Sequence, residues 1–556
     1  MSFWGDQLAS FSEILFDYLR LRNRGWQLLL VLAVGVVYLP FLGNPFVFDD
    51  LPFFRSGAAA IYADSWFHFD LRWFAYASLG WSYDAFGDDV PHHFHLGNML
   101  LHLANTVLLF HFLRYLTGAV LTEGVDSQVI ARGAWIGAMI FALHPVAVYA
   151  VGYVIQRSIL MATMFALVMQ LAYLRGLLSG RKRWFMLAVL AYFLACFSKE
   201  HSVLMPLVLG AMGLLVHTDS PARRKLLWST WAAFGVIAIL VTLRIKDVLG
   251  NAYEAMAAHL FEQQGIAEST PTLHLLSMLT QAGLFFKYLL LLVFPNPSMM
   301  SVDMREPFID ALSAWQGWLG GIAFILYGVF AIRLLLRGGM LGLAGFALLC
   351  PWLLFGVEMV SIRVQEPFVL YRSYLWMPAL MLLPALLLIK FPQRRNFLVM
   401  VCVVFLLVPL AWNRLWVFGD NYRLWNDAAL LLKSERTPGA DRIFFNRGQA
   451  ELAMQQWDNA VLDFERAVAV SPHLALIRYR LGFAYGNAGR YAEALSEFDI
   501  SIGIDPKNGN VYFAKGMILK RLGQNDAADQ QMKKACELKN SMACVLKSRN
   551  TNEKMK

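Results

Sequence analysis

The sequence predicts an all-α protein in which a polytopic helical membrane domain is followed by a solenoid of helical repeats. Hydrophobic residues make up 58% of the 556 residues and charged residues only 16%, against about 25% charged in a typical soluble domain. Apolar runs of about 20 residues, long enough to cross a ~30 Å hydrocarbon core, recur as far as residue 413. Beyond that point charged residues become dense and a 34-residue period begins.

The composition excludes several protein classes. It is too apolar for a disordered chain or a purely soluble enzyme, and five cysteines are too few for a disulfide-dense scaffold or a cysteine-rich metal array. The net charge of +9 is typical of cytoplasmic loops on a membrane protein and does not indicate nucleic-acid binding. The sequence also has no phosphate-binding loop, dinucleotide fingerprint or nucleophile elbow.

Basic residues give the membrane domain, 26–413, its expected orientation. Residues 1–25 are amphipathic and predict a cytoplasmic interfacial helix, with no cleavable signal peptide. Basic clusters fall on alternate loops, which the positive-inside rule places in the cytoplasm. Two cytoplasmic loops must be separated by an even number of crossings, and this condition fails only around the segment 275–294, which we expect to be re-entrant, split or interfacial. We favour eleven crossings, which put the repeats outside the cytoplasm. Twelve crossings would put them inside. The candidate spans are 26–43, 94–113, 133–150, 158–174, 184–198, 202–217, 226–243, 275–294, 313–332, 340–359, 373–389 and 397–413.

Small residues recur every 34 positions in the C-terminal part. Gly448, Gly482 and Gly516 share this spacing, as do Ala460, Ala494 and Ala528. A 34-residue period with small residues at two helical positions is the tetratricopeptide (TPR) signature of paired antiparallel helices. We therefore expect a partner-binding surface rather than a catalytic domain. The predicted boundaries are a linker at 414–440, a repeat domain at 441–546 with repeats 441–474, 475–508 and 509–542, and a tail at 547–556.

Two cysteines close the last repeat. Cys536 and Cys544 would lie about 12 Å apart on one straight helix and could not bond, so a disulfide requires the chain to fold back near residues 539–540. The other interpretation is two free thiols in a cytoplasmic repeat. The stretch 535–544 resembles secreted Sel1-like repeats, in which this spacing is bridged; that resemblance implies a disulfide and an oxidising compartment such as the periplasm.

The first outer loop, 44–93, is acidic and carries Asp49 and Asp50 directly after the first span. Adjacent carboxylates there suit a general base for an acceptor hydroxyl or a ligand set for a divalent cation. The alternative is that acidic residues only keep the loop solvated.

Several charges lie beside or within apolar segments on the same side. Because an ion at bilayer depth costs about 2.5–3.5 kcal/mol even on the insertion scale, Arg157, Lys199 and Arg372 suggest a phosphate site. A structural alternative is that Lys199 and Glu200 neutralise each other. His95 and His144 are candidates to line the same site, although most such histidines only pack between helices.

In order along the chain, these segments resemble the TMTC family (transmembrane and tetratricopeptide-repeat proteins) of membrane glycosyltransferases with the GT-C fold. The resemblance rests on NPFVFDD at 44–50, HLGNMLLH at 95–102, LHPV at 143–146, SKEH at 198–201 and YRSYLWMP at 371–378. It implies Asp49 or Asp50 as the base, and it admits Mg²⁺ or Mn²⁺ on Asp49 without requiring a cofactor. It implies Arg157, Lys199 and Arg372 as donor-phosphate ligands, with supporting roles for Arg72, His95, His144, Glu200 and Tyr371.

The function implied by the resemblance is inverting transfer of a sugar from a polyprenyl-phosphate carrier, undecaprenyl-linked in a bacterium. The acceptor would be a hydroxyl on an exported, pilin-like protein recruited by the repeats. We expect a bacterial inner-membrane protein with the repeats in the periplasm and no nucleic-acid partner. Two alternatives stay open: a polymerase or ligase of lipid-linked glycan, and a non-enzymatic scaffold in which the aspartates are idle.

Overall fold

The computed structural model describes residues 24–87, 90–121, 124–216, 221–252, 254, 256–266 and 269–546. Within these ranges the chain is helical, with one isolated β-bridge between Ala252 and Ile362, so the all-α prediction is confirmed. Nearly all of the predicted N-terminal helix and all of the predicted tail lie outside the described residues. The α-helices of five or more residues are Arg24–Tyr38, Asp50–Arg55, Ala58–Asp64, Trp73–Phe86, His92–Val120, Ser127–Leu143, Arg157–Ser179, Lys182–Ser198, Met205–Leu215, Pro221–Arg244, Ala257–Gln263, Thr270–Val293, Trp315–Leu335, Gly339–Phe355, Leu382–Lys390, Arg394–Val417, Asn421–Leu430, Ala440–Ala453, Trp457–Val470, Ala475–Asn487, Tyr491–Ile504, Gly509–Arg521 and Asn525–Glu537.

The chain divides into two compact units. The membrane unit runs to Asp420, and the repeat unit begins at Asn421 and also includes Asp303–Arg305. The boundary falls inside the predicted linker 414–440, which holds the end of the last apolar helix and the helix Asn421–Leu430. That stretch is therefore partly helical.

The membrane unit exposes apolar side chains that only lipid would cover. Ile325 and Leu326 on one helix, and Phe405 and Leu406 on another, are each more than 60% exposed. Among the described residues, seven helices are long and apolar enough to cross a membrane, or eight if the bent pair Ser127–Leu143 and Pro145–Val151 is one span. Each of the twelve predicted segments overlaps a helix, and the chain is a membrane protein; eleven crossings stays a prediction.

The helix Thr270–Val293 covers the predicted segment 275–294, at which the count of crossings between cytoplasmic loops becomes odd. It is continuous and long enough to span, so the segment is not split. His274 bonds to the carbonyl of Met359 (2.8 Å), and the carbonyl of Leu292 lies 3.2 Å from Nε2 of His144. The basic loops place both 359 and 144 at the outer ends of their helices. Whether this helix crosses the membrane stays a prediction.

The repeat unit contains the helix Asn421–Leu430, three helical hairpins and a short helical segment at 541–546. Its glycines lie where the two helices of a hairpin touch: a Cβ on Gly482 would come within 2.8 Å of the Phe498 ring, and one on Gly448 within 3.1 Å of Phe464. The 34-residue period therefore repeats one packing contact. Beyond the last hairpin, Lys539 adopts φ 65° and the chain turns back, which brings the Cα atoms of Cys536 and Cys544 to 4.8 Å in a disulfide.

Candidate active site

Four short 3₁₀ turns carry most of the polar groups of the site. They are Val154–Gln156, Glu200–Leu204, Gly356–Met359 and Leu370–Leu375, each beside the end of an apolar helix. Such tight turns commonly connect or terminate α-helices, so charged side chains can lie at the end of a helix without entering the bilayer. The turns bring residues that are more than 200 positions apart into one network.

The acidic pair lies in a strained turn and divides into two environments. Phe48 adopts φ 49°, a left-handed conformation that costs a bulky residue about 1–3 kcal/mol. Asp50 is fully buried and accepts backbone N–H bonds from Val47 (3.2 Å), Val154 (3.3 Å) and Ile155 (2.7 Å). These bonds fasten the turn to the start of the helix Arg157–Ser179.

The two aspartates therefore offer different chemistry. Burial raises the pKa of Asp50 to about 7, although its three backbone donors act to lower it. Asp49 is exposed, and its backbone N–H donates to the hydroxyl of Tyr153 at 3.0 Å. Of the two predicted bases, Asp49 is the one that a ligand can reach, while Asp50 holds the turn.

Lys199 is buried beside this turn, behind two tyrosine rings. The Tyr153 ring meets Tyr371 edge-on at 6.3 Å between centroids, and the ammonium of Lys199 lies 4.9 Å from the centre of the Tyr371 ring. The ammonium donates to Gln156 Oε1 (3.0 Å) and Ser158 Oγ (3.4 Å). Within the described part of the chain no carboxylate lies within ion-pair distance of it. Burial, followed by the charge of Arg72, lowers the pKa of Lys199 to about 7.

Glu200 does not neutralise its neighbour Lys199; it pairs with Arg72. Nε and Nη2 of Arg72 donate to the two carboxylate oxygens at 3.0 and 2.5 Å. The Arg72 side chain remains 38% exposed, so it lies at the edge of the site. Its backbone is also left-handed, with φ 66°.

A chain of ionisable side chains continues from Glu200 to Arg372 through residues that the sequence analysis missed. His201 lies between two carboxylates, 3.5 Å from Glu200 and 3.2 Å from Glu358. Glu358 also lies 2.9 Å from Nε of Arg363 and 3.2 Å from Nη1 of Arg372. Arg372 is therefore held by protein carboxylate. The sequence could have identified Glu358, because it is a charged residue inside a predicted span and intramembrane ions are presumed functional.

Arg157 is buried and bonded to four protein acceptors. Its guanidinium donates to Asn98 Oδ1 (3.0 Å), Ser82 Oγ (3.2 Å) and the carbonyls of Ser78 (3.1 Å) and Phe94 (3.0 Å). These bonds tie the helices Trp73–Phe86 and His92–Val120 to its own helix. The predicted phosphate ligand thus lies beside the site with its donors directed at helices.

The two predicted histidines contact backbone groups. His95 lies 2.9 Å from the carbonyl of Asn44, at the start of the acidic turn. Nδ1 of His144 accepts from the N–H of Val146 at 3.2 Å, so its Nε2 carries the proton toward the carbonyl of Leu292. Both histidines anchor chain segments around the site.

The described residues offer little to a divalent cation at Asp49. No group of three or more His, Cys, Asp or Glu side chains among them is arranged to hold a metal ion. The neighbouring carboxylate of Asp50 is bonded to three N–H groups. A metal ligated by these side chains alone does not fit.

Comparison with known proteins supports the resemblance. A tetratricopeptide-repeat family model matches residues 475–508 and 509–542. The chain is similar to protein O-mannosyl-transferase Tmtc2 of Drosophila melanogaster, at 26% identity over 364 residues, 61% of this chain and 32% of that protein. This is a TMTC-like chain with tetratricopeptide repeats. It spans about a third of the length of that curated relative.

Two solved structures also match part of the chain. The crystal structure of MamA is 20% identical with a TM-score of 0.20, and the match covers 28% of this chain and 85% of that one. YrrB, described as a TPR protein with an unusual peptide-binding site, is 17% identical with a TM-score of 0.23, covering 29% of this chain and 87% of that one.

Proposed function

We propose that this TMTC-like chain is a membrane glycosyltransferase that moves a sugar from a polyprenyl-phosphate donor to a hydroxyl of an exported protein. The observation that carries the proposal is the buried ammonium of Lys199, which has neutral oxygen acceptors and an aromatic face around it. The rings of Tyr371 and Tyr153 connect it to exposed Asp49. A buried cation without an ion-pair partner is costly, and a bound phosphate would lower that cost.

The reaction follows from these two groups. Asp49 takes the proton of the acceptor hydroxyl, whose oxygen attacks the anomeric carbon. The bond from that carbon to the phosphate oxygen breaks, and its electron pair leaves with the phosphate. Lys199 stabilises the leaving phosphate, and Arg72 can approach it from the edge of the site. A single displacement of this kind inverts the anomeric centre.

The remaining predicted residues position the reacting groups and the helices around them. We assign Asp50, His95 and Arg157 to holding the acidic turn and its helices. Glu200, His201 and Glu358 space Arg72 and Arg372 around the site, and Tyr371 shields Lys199 from solvent. His144 fixes the end of the helix Thr270–Val293.

The repeats are proposed to recruit the acceptor on the outer, periplasmic side of a bacterial inner membrane. Leu476 and Phe483 lie two helical turns apart on the first helix of the second hairpin, and both are exposed. Met517 occupies the position equivalent to Phe483 in the next repeat and is also exposed. This apolar stripe suits an extended segment of a protein partner. The disulfide between Cys536 and Cys544 agrees with an oxidising compartment.

The test is the intact mass of exported proteins from cells with the wild-type chain, with Asp49→Asn, or without the chain. We expect hexose-sized mass loss in both altered strains, because removing a general base costs about 10²–10⁴-fold in rate. Asp64→Asn is the matched control, since Asp64 is an exposed acid in the same loop, and it should keep full modification.

The other outcomes discriminate between functions. Loss on deletion but not with Asp49→Asn would contradict the assignment of the base and favour a scaffold. No loss in either strain would overturn the protein acceptor and favour transfer to glycan or lipid.

A further inference from the structure

A cavity of about 370 Å³ lies between membrane helices, far from the candidate active site. Along the helix Arg157–Ser179, Arg175 is about 27 Å from Arg157 at 1.5 Å per residue, so the cavity is at the opposite end of that helix. The basic loops place this end in the cytoplasm. Its volume falls within the range of about 300–1,000 Å³ that is usual for ligand sites.

The cavity has an apolar wall and two polar positions. Leu108, Val168, Leu171 and Leu187 provide apolar surface. At one polar position, Nε2 of Gln27 lies 2.8 Å from Nε2 of His111. At the other, Arg175 and Trp184 line the cavity, and the guanidinium lies 4.1 Å from the centre of the indole ring.

The chain segment that carries Arg175 has basic residues and no acidic ones. Arg181, Lys182 and Arg183 are exposed on the loop that follows its helix. The sequence contains no Asp or Glu from residue 127 to residue 199. Tyr115 hydrogen-bonds to Arg175, which holds the guanidinium at the cavity. An anion at this position would meet several positive charges and no acidic residue of these segments.

We propose that this cavity binds an anionic phospholipid of the cytoplasmic leaflet. The phosphate lies against the guanidinium of Arg175, the planar group best suited to phosphate oxygens. The second N–H of the Gln27 amide faces an ester carbonyl, and one acyl chain follows the leucine-lined wall. Basic pockets between membrane helices on this side are known to take anionic head groups, and Trp184 is of the type that sits at head-group level.

The experiment is native mass spectrometry of the full chain released from bilayers that contain equal amounts of phosphatidylglycerol and phosphatidylethanolamine. The wild type should retain one phosphatidylglycerol. Arg175→Gln, which removes the charge, and Leu171→Trp, which fills the cavity, should each lower that retention at least tenfold. Arg333→Gln is the matched control, because Arg333 is an exposed arginine in the last turn of the helix Trp315–Leu335, at another end expected in the cytoplasm.

Either of two results would overturn the proposal. One is equal retention of phosphatidylethanolamine, which would make the cavity a non-selective lipid contact. The other is unchanged phosphatidylglycerol retention in both variants, confirmed as folded by their unfolding temperatures. Because the two variants act by charge and by volume, misfolding of one leaves the other as the test.

Discussion

The repeat unit and the membrane unit use their buried residues in opposite ways. In the repeats, one packing contact recurs every 34 residues, as with Gly482 against Phe498 and Gly448 against Phe464. In the membrane unit, the buried polar groups Asp50, Lys199 and Glu358 each occur once and come from separate turns. The repeats therefore depend on local sequence, while the site depends on turns that converge from distant parts of the chain.

After Asp49→Asn, the largest expected effect on sugar transfer comes from replacing Lys199, whose partners come from several distant turns. Lys199→Gln should lower sugar transfer about 10²-fold, the usual cost of removing one donor to a developing charge. Lys199→Arg should retain part of the activity, because it keeps the charge. The measurement is the fraction of modified exported protein in the same strain, with the exposed Lys182→Gln as the charge-matched control.

The pH dependence of donor binding gives a second measure of the same residue. The pKa of Lys199 is about 7, so its ammonium is neutralised as pH rises through 7. Affinity for a polyprenyl phosphate should therefore fall above about pH 7 in the wild type and stay flatter in Lys199→Arg. If Lys199→Gln binds the phosphate as tightly as the wild type at pH 6, the assignment of Lys199 is wrong.

Glycine substitutions compare the two units directly. A Cβ on Gly97 would lie 2.7 Å from Nη2 of Arg157, and one on Gly482 would lie 2.8 Å from the Phe498 ring. Each alanine should destabilise its own unit by about 1–3 kcal/mol through overpacking. Gly97→Ala should also slow transfer, because Arg157 holds the helices around the acidic turn, whereas Gly482→Ala should act only within the repeats.

Hydrogen exchange followed residue by residue locates each effect in the full chain. Gly118→Ala and Gly503→Ala are the matched controls in the same two units, since a Cβ at either position meets nothing within 4 Å. Equal slowing of transfer by Gly97→Ala and Gly118→Ala would contradict the positioning role of Arg157.

The same contrast explains what the sequence alone could predict. The 34-residue repeat and the apolar segments follow from period and hydropathy, which are local properties of the sequence. The separation of Asp49 from Asp50 depends on the backbone N–H groups of residues 154 and 155, more than 100 positions away. The pairing of Glu200 with Arg72 instead of Lys199 likewise depends on distant loops. Such long-range contacts cannot be predicted from neighbouring residues in the sequence.

The last prediction concerns stability alone, through the protonation of Asp50. Its pKa is about 7 in the folded protein and about 3.9 in an unfolded chain, so the folded state binds the proton more tightly. Stability should therefore fall as pH rises from about 4 to about 7 and level off above that range. In Asp50→Asn this slope should disappear, although the variant is less stable at every pH because its amide N–H₂ faces backbone donors.

Unfolding temperatures between pH 4 and pH 8 measure the slope, and Asp64→Asn should keep it. The repeat unit contains a comparable acid, Glu451. Burial and the nearby Asp463 raise the pKa of Glu451 to about 7. Glu451→Gln therefore separates the contribution of the repeats from that of the acidic turn. An unchanged slope in Asp50→Asn would mean that the three N–H donors keep this carboxylate ionised at neutral pH. The turn that presents Asp49 would then be held by a full negative charge.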